Sequence, residues 1–400
     1  MEDAWMGADE RSPDGTGTIV VEVEGWAVDP GADRVYADPA LRTLIVAGGG
    51  KPADETIRAL IDSDDIPDVL SAESAIGGVF IDDRYFAALA SRRGRRLARL
   101  PLAIAQAIEV RRIGADFDAV LTWGDRPSLV IATAMLGQRQ RPAHVAILMW
   151  PSRLTKALPL ALLQRRIDRF IAWPPLQRRF LEQGLGIATD RFTDAQGRVD
   201  TRYWRPIKRQ TNMICSVGQE MRDYGTLLAA IAGTGIRCHI APGSTVFGTT
   251  RDDWWRHSID ERKLPVELTV EAKSLTALRE LYASSRFVVV PLHPSDMDNG
   301  INAILEAFAM GKAVICTDTA GQVGVLDDGV NCIRVPPHDP EALREAIVEL
   351  WADPERCERL GAAGRTLVER DHSIDRWTRS LRNAVDAAVM ARCGGRAFKG

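Results

Sequence analysis

Two carboxylates eight residues apart open the chemistry of this chain. Asp298 and Glu306 lie in "SDMDNGINAILEAFAMGKAVICTDTAGQ", residues 295–322. The run "RFVVVP" before them reads as a buried strand. A polar turn, Asp298-Asn299-Gly300, follows, and Ile301, Ile304, Leu305 and Phe308 make a helical apolar stripe. The N-terminus of that helix opens at the end of a strand, so the amides around Asn299, Gly300, Ile301 and Asn302 are free to meet an anion. The spacing predicts a helix end near Gly311, with Lys312 placed to meet its last carbonyls. Glu306 lies among apolar residues, so its carboxylate is either half-buried and bonded or aimed into a cleft; a surface Glu is the plain alternative. A second phosphate-type turn follows an early strand: Gly48, Gly50 and Ala53 fit G-x-G-x-x-A, with Asp68 or Glu73 about 20 positions on. Pro52 is foreign to a dinucleotide turn of this kind.

Around these residues the chain alternates strand and helix twice. "RTLIVA", "DAVLTW", "HVAILMW" and "RFIAW" form one series from residue 41. "NMICSV", "IRCHIA", "VELTV", "RFVVVP", "AVICT" and "CIRV" form a second after "VDTRYWRP". Continuous apolar runs suit parallel strands covered on both faces. Two such series imply an α/β protein of two open-sheet domains, residues 41–206 and 207–372, with a ligand at the strand ends between them. Residues 1–40, rich in Gly, Asp and Pro, read as an extension with one strand, Thr18 to Trp26.

Four hundred residues suit two domains. A formal net charge of −3 argues against a general nucleic-acid binder. The charge is unevenly placed. Residues 1–90 carry 19 acidic and 6 basic side chains, 91–209 carry 9 and 23, and 210–400 carry 26 and 22. The middle block is the part suited to an anion, or a solvated surface balancing its acidic neighbour. Six cysteines without a CxxC pair read as free thiols, and the N-terminus has no basic-then-apolar leader pattern, so a cytoplasmic soluble protein is expected.

The segment 295–322 resembles the C-terminal signature of glycosyltransferase family 4, the retaining nucleotide-sugar enzymes of the GT-B fold. "VLDDGVNCIRVPPHDPEALREAIVELWADPERCERLGAAGR", "VDTRYWRP" and "SVGQEMRDYGTLLAAI" resemble further family segments, so the likeness is specific over residues 199–382. It implies two facing Rossmann-like domains with a cleft between them. A C-terminal helix, residues 373–392, would cross back to the first domain, leaving 393–400 as a tail. It implies a nucleotide-diphospho-sugar donor, no cofactor and no metal. By the resemblance, Glu306 would hold the ribose hydroxyls and Asp298 would lie near the transferred sugar. Gly218, Gln219, Arg222, Asn299, Gly300, Ile301 and Asn302 would bind the donor, and Gly49 and Gly50 would face its diphosphate from the other domain. In related enzymes a basic-flanked helix such as residues 91–112 can dock an anionic membrane carrying a lipid-linked acceptor; the plainer reading of this run is a buried helix with solvated ends.

Three features depart from the pattern. The first acid is Asp298, one methylene shorter than the family's Glu. Gln219 and Tyr224 stand where the family has the Arg and Lys that neutralise the diphosphate; Arg222, Arg153 and Lys156 are the substitutes at hand. Met149-Trp150 stands where a strand-end His is usual, and Trp150, with Asp125 and Arg126, is expected on the acceptor or sugar wall. Rival readings are a GT-B-fold isomerase, an NAD-dependent oxidoreductase, or a degenerate nucleotide-binding scaffold.

Overall fold

The computed structural model describes residues 21–23, 26–29, 34–36, 43–48, 54–71, 75–89, 91–195, 197–210, 212–242, 244–245 and 268–397. Gly49, Gly50, Pro52, Ala53 and Glu73, each named above, lie outside them. Where one strand was expected near the N-terminus, three form an antiparallel sheet: β1 (Val21–Val23), β2 (Trp26–Asp29) and β3 (Arg34–Tyr36). Thr18 to Val20 of the expected strand fall outside the described residues.

The first parallel sheet has the order β5-β4-β6-β7-β8. Its strands are β4 (Thr43–Val46), β5 (Gly78–Phe80), β6 (Ala119–Trp123), β7 (Ala143–Leu148) and β8 (Arg169–Ala172). All of its pairings are parallel. The helices between are α1 (Asp54–Asp62), α2 (Asp83–Ala88), α3 (Arg92–Leu97), α4 (Leu102–Ile113), α5 (Asp125–Ala134), α6 (Leu154–Leu163) and α7 (Pro175–Arg179).

The second series builds β9 (Met213–Val217), β10 (Cys238–Ala241), the short β11 (Ser244–Thr245), β12 (Leu268–Val270), β13 (Lys273–Ser274), β14 (Ser285–Val290), β15 (Ala313–Thr317) and β16 (Cys332–Val335). Six of them form a parallel sheet in the order β12-β10-β9-β14-β15-β16, and β11 pairs with β13 apart from it. The helices are α8 (Tyr224–Ile231), α9 (Leu275–Ser284), α10 (Ile301–Ala309), α11 (Pro340–Ala352), α12 (Pro354–Asp371) and α13 (Ile374–Ala397). Val288, Val290, Val314 and Cys316 meet Ile304, Leu305 and Phe308 of α10, which is the apolar stripe read from the sequence.

The last helix belongs to the first sheet. Trp377, Leu381, Ala384, Val385 and Ala388 of α13 pack against Ile45, Leu121, Val145, Ile147 and Ile171. The helix runs to Ala397, beyond the point where a tail was expected. The two crossings between the halves lie side by side: Val199 N–H donates to His372 O at 2.8 Å and Ile374 N–H donates to Val199 O at 3.1 Å. Gly197 lies here because a Cβ would stand 2.3 Å from Trp173 and 2.8 Å from Leu305, one in each half.

The carboxyl ends of the two sheets face one another. Ser152, after β7, donates to Asp296, after β14, at 3.3 Å, and Gln177 reaches the same carboxylate at 3.2 Å. Two parallel α/β sheets facing across a cleft, with a closing helix returned to the first, make the GT-B architecture.

Candidate active site

The turn after β14 ends in Gly300, whose φ of +87° is the left-handed region that glycine adopts without strain. A Cβ there would meet Val290 at 2.8 Å and the Arg222 guanidinium at 3.2 Å. Gly218, after β9, has φ +106°, and its Cβ would fall 2.3 Å from the same guanidinium. Arg222 is thus seated between two glycines that have no side chain to displace it. It is buried, and donates from Nε to Val217 O and from Nη1 to Glu220 O, both at 2.9 Å. A guanidinium fixed by its own backbone is a preorganised cation.

Tyr224, at the position of the expected lysine, is buried, and its hydroxyl donates to Gly218 O. It shapes the turn and supplies no charge. Gln219 sits half-buried on the same turn. Of the cations proposed as substitutes, Arg222 is the one built into this turn.

Asp298 and Glu306 face different openings. Asp298 shares a cleft with Trp173, Arg178, Ile301 and Gln322. Its carboxyl accepts a hydrogen bond from the Trp173 side chain, across the halves, while Oδ2 is buried with no protein partner. Burial pushes its pKa up to about 6, against the pull of Trp173. The neighbouring Asn299 is buried too, and its Oδ1 also lacks a protein partner. Two adjacent orphaned acceptors at a strand end are what a hydroxyl-bearing ligand would satisfy. Gly321 closes the floor: its N–H donates to Ser295 O at 3.0 Å, and a Cβ would sit 1.9 Å from Met297 O.

Glu306 opens on a second cavity with Arg198, Asp200, Trp204 and Asn302. The Tyr282 hydroxyl donates to its Oε2 at 2.9 Å. Burial pushes its pKa up to about 7, opposed by that hydrogen bond and by the Arg222 charge. Of the two alternatives the spacing left open, half-buried and bonded is the one observed. The Lys312 backbone N–H caps its own helix at Ala307 O, 2.8 Å, but its ammonium, expected there too, donates instead to Ala283 O of α9 at 2.9 Å.

On the opposite wall several expectations are corrected. Asp125, the first residue of α5, is buried and accepts from the N–H groups of Met149 and Trp150, both at 3.1 Å. Lys156 donates to it at 2.6 Å. That pair braces the turn after β7, so Asp125 faces inward and Lys156 is not a free cation for phosphate. Arg126 is exposed. Arg153 is exposed as well, and its guanidinium lies 3.8 Å from the centre of the Trp150 ring. Asp68, the acid 20 residues past the first glycine turn, is occupied in its own turn by Leu70 and Ser71. Residues 91–112 form α3 and α4, whose Glu109 is buried and paired with Arg93 and Arg112. The larger exposed apolar face is on α6: Leu154, Leu158 and Leu162 are 87%, 69% and 79% exposed.

Trp173, Arg178, Arg198 and Tyr282 were not among the candidate residues. Trp173 closes the run "RFIAW", a signal that was visible. Arg198 stacks on Trp123 and Trp377 from segments far apart in sequence, and nothing local marks it.

Residues 228–353 match the family model described as Glycosyl transferases group 1. The chain is 32% identical over 101 residues to O-antigen chain mannosyltransferase C of Escherichia coli, a match covering 24% of this chain and 27% of that protein. It therefore spans about a quarter of the length of that curated relative. Among solved structures, Anabaena HepE in complex with UDP-glucose is similar with a TM-score of 0.62 at 13% identity, covering 87% of this chain and 99% of that one. Sucrose-phosphate synthase from Thermosynechococcus elongatus matches at 0.62 and 15%, covering 89% and 98%. At such identity these structures speak for the fold, which is that of GT-B glycosyltransferases. The chain thus combines a GT-B fold with a segment, residues 228–353, that matches the glycosyl transferases group 1 model. Among the described residues no helix is long and apolar enough to cross a membrane.

Proposed function

We propose that this chain is a retaining glycosyltransferase that moves a sugar from a nucleotide-diphospho-sugar to an acceptor held by residues 41–206. The observation that carries the reading is Arg222, seated between Gly218 and Gly300, with the buried Asp298 and Asn299, whose Oδ2 and Oδ1 lack a protein partner, immediately before Gly300 in the chain. Arg222 stabilises the departing diphosphate, and Asp298 and Asn299 take sugar hydroxyls. Glu306 accepts from the ribose, which requires a small opening of its cavity. The acceptor oxygen attacks the anomeric carbon from the face the diphosphate leaves. The bond from that carbon to the diphosphate oxygen breaks, and that oxygen takes the acceptor's proton. No resident metal is needed for this route, because the Arg222 charge and fixed N–H groups balance the leaving group. Glu306→Ala tests the ribose assignment: donor binding and transfer of radiolabel should both fall. Unchanged binding and transfer would remove Glu306 from the site. Binding across UDP, GDP, ADP and dTDP names the base; binding to none of them favours a non-catalytic scaffold. Reduction of NAD without sugar transfer would favour an oxidoreductase.

The acceptor we propose is anionic and lipid-linked. Leu154, Leu158 and Leu162 recur every four residues and form one exposed apolar stripe on α6. Residues 91–166 hold 14 basic and 4 acidic side chains, a charge that suits an anionic bilayer and opposes self-association. Co-sedimentation with vesicles of phosphatidylglycerol but not of phosphatidylcholine is expected. Changing the three leucines to serine should abolish it; equal binding by that variant, or dimerisation through α6, would overturn the reading.

A further inference from the structure

Three loops converge on one carboxylate oxygen next to Arg222, and the residues that meet there, Asp223, His293 and His338, take no part in the proposed transfer. Asp223 follows Arg222 and caps α8. His293 comes three residues after the end of β14, and His338 three residues after the end of β16. His338 Nδ1 lies 2.7 Å from Asp223 Oδ2, and His293 Nδ1 lies 3.8 Å from that same atom. One ligand atom from each residue lies within 4.8 Å of the others. The two imidazoles have their centres 5.3 Å apart and are tilted by 42°.

The backbone and the capped helix hold this arrangement from behind. Asp223 Oδ1 accepts from Thr226 N–H at 3.1 Å, and Oδ2 accepts from the Thr226 hydroxyl at 2.7 Å. The carboxylate is therefore oriented by groups outside the cluster, as ligating carboxylates are. His293 N–H donates to Met221 O at 2.9 Å, and Met221 and His338 themselves have φ of +57° and +58°. Left-handed backbone at two residues with side chains is uncommon and costs free energy.

We propose that Asp223, His293 and His338 bind one divalent transition-metal ion of the zinc type. Two imidazole nitrogens and one carboxylate oxygen suit zinc and its neighbours, whereas magnesium and calcium call for oxygen ligands alone. A tetrahedral zinc site with bonds near ~2.0 Å sets its ligand atoms about 3.3 Å apart. Of the two Asp–His separations one is shorter than that and one is longer, and the His–His separation lies within 4.8 Å, so ring shifts of roughly an ångström would complete the set. Both histidine side chains are about half exposed, at 47% and 55%, so a fourth position stays open to solvent. Arg222, next to Asp223 in the chain, and the positive end of α8 oppose a cation and weaken its binding. The ion would tie the turn that carries Arg222 to the ends of β14 and β16. It takes no part in bond breaking.

The test uses the full chain, free of any affinity tag and stripped by chelator, titrated with zinc chloride against a competing colorimetric zinc dye. One equivalent of zinc per chain is expected, with a rise in melting temperature. His293→Ala and His338→Asn should each weaken binding by tenfold or more and remove that rise. Asn at 338 tolerates the left-handed backbone, so zinc-free melting of that variant should match the parent and report on folding separately. Absence of bound zinc at micromolar concentration overturns the proposal. So does undiminished binding in the double variant, which would assign the ion to other ligands. Because no sugar nucleotide is present, failure here leaves the transfer reading untouched.

Discussion

The two walls of the cleft are made on opposite principles. At the ends of β9 and β14 the polar groups are buried and already directed: Arg222 between two glycines, Asp298 and Asn299 with orphaned oxygens, Glu306 against Tyr282. At the turn after β7 the acid is bonded inward to Lys156 and two amides, and the neighbouring Arg153 is exposed and stacked on Trp150. Arg222, Asp298 and Asn299 need little reorganisation on binding, so this part of the wall fits one rigid ligand. The exposed wall can adjust to a less uniform partner. This is the division expected of a shared donor chemistry facing a specialised acceptor.

The largest test of that contrast removes the fixed cation. Arg222→Ala should lower kcat/KM at least about 100-fold, and Arg222→Lys should not restore it, because one ammonium cannot reach both carbonyls and the cleft. Full rescue by lysine would mean that charge alone matters and that the wall is not preorganised. Gly321→Ala comes next. Its Cβ collides with the Met297 backbone, so a loss of about 2–3 kcal/mol in denaturant unfolding is expected; a neutral result would show that the floor yields.

A third measurement reads the buried carboxylates by pH. The folded pKa of Glu306 is raised to about 7 by burial, from 4.5. Between those values the folded chain binds more protons than the unfolded one, so this residue makes stability fall as pH rises through that window. Glu306→Gln should therefore be stabilised relative to the parent more at pH 8 than at pH 5, by on the order of 2 kcal/mol. Asp298, raised from 3.8 to about 6, contributes the same sign over a lower window. An identical difference between parent and Gln variant at both pH values would dissolve the contrast between the walls. The smallest effect belongs to the exposed side: Arg153→Ala should raise the acceptor KM a few-fold, with stability within about 0.5 kcal/mol, and high salt should erase the difference.

Much of the fold was legible because its signals are local. The apolar runs "RFVVVP" and "AVICT" became β14 and β15, and the stripe on Ile304, Leu305 and Phe308 became the buried face of α10. The strand β5 is three residues long, with a glycine first, too short to show a period. The role of Lys312 was misread because a helix-end lysine has two helix ends in reach, and the neighbouring one at Ala283 was nearer. Within the site, glycines betrayed the turns, since only close approach explains them. The pairing of Asp125 with Lys156 spans 31 residues, and Trp173 reaches Asp298 across the whole molecule; no spacing rule links such positions.

The placement of α13 also bears on how the chain is made. Synthesis runs from the N-terminus, yet the first sheet lacks one face of its core until Trp377, Leu381 and Ala388 have emerged. The second sheet and its helices, residues 213–371, are contiguous and complete before that. On the ribosome the later half should therefore reach its native packing first, and the earlier half should wait, with Leu121 and Ile147 unshielded, for the final helix to arrive.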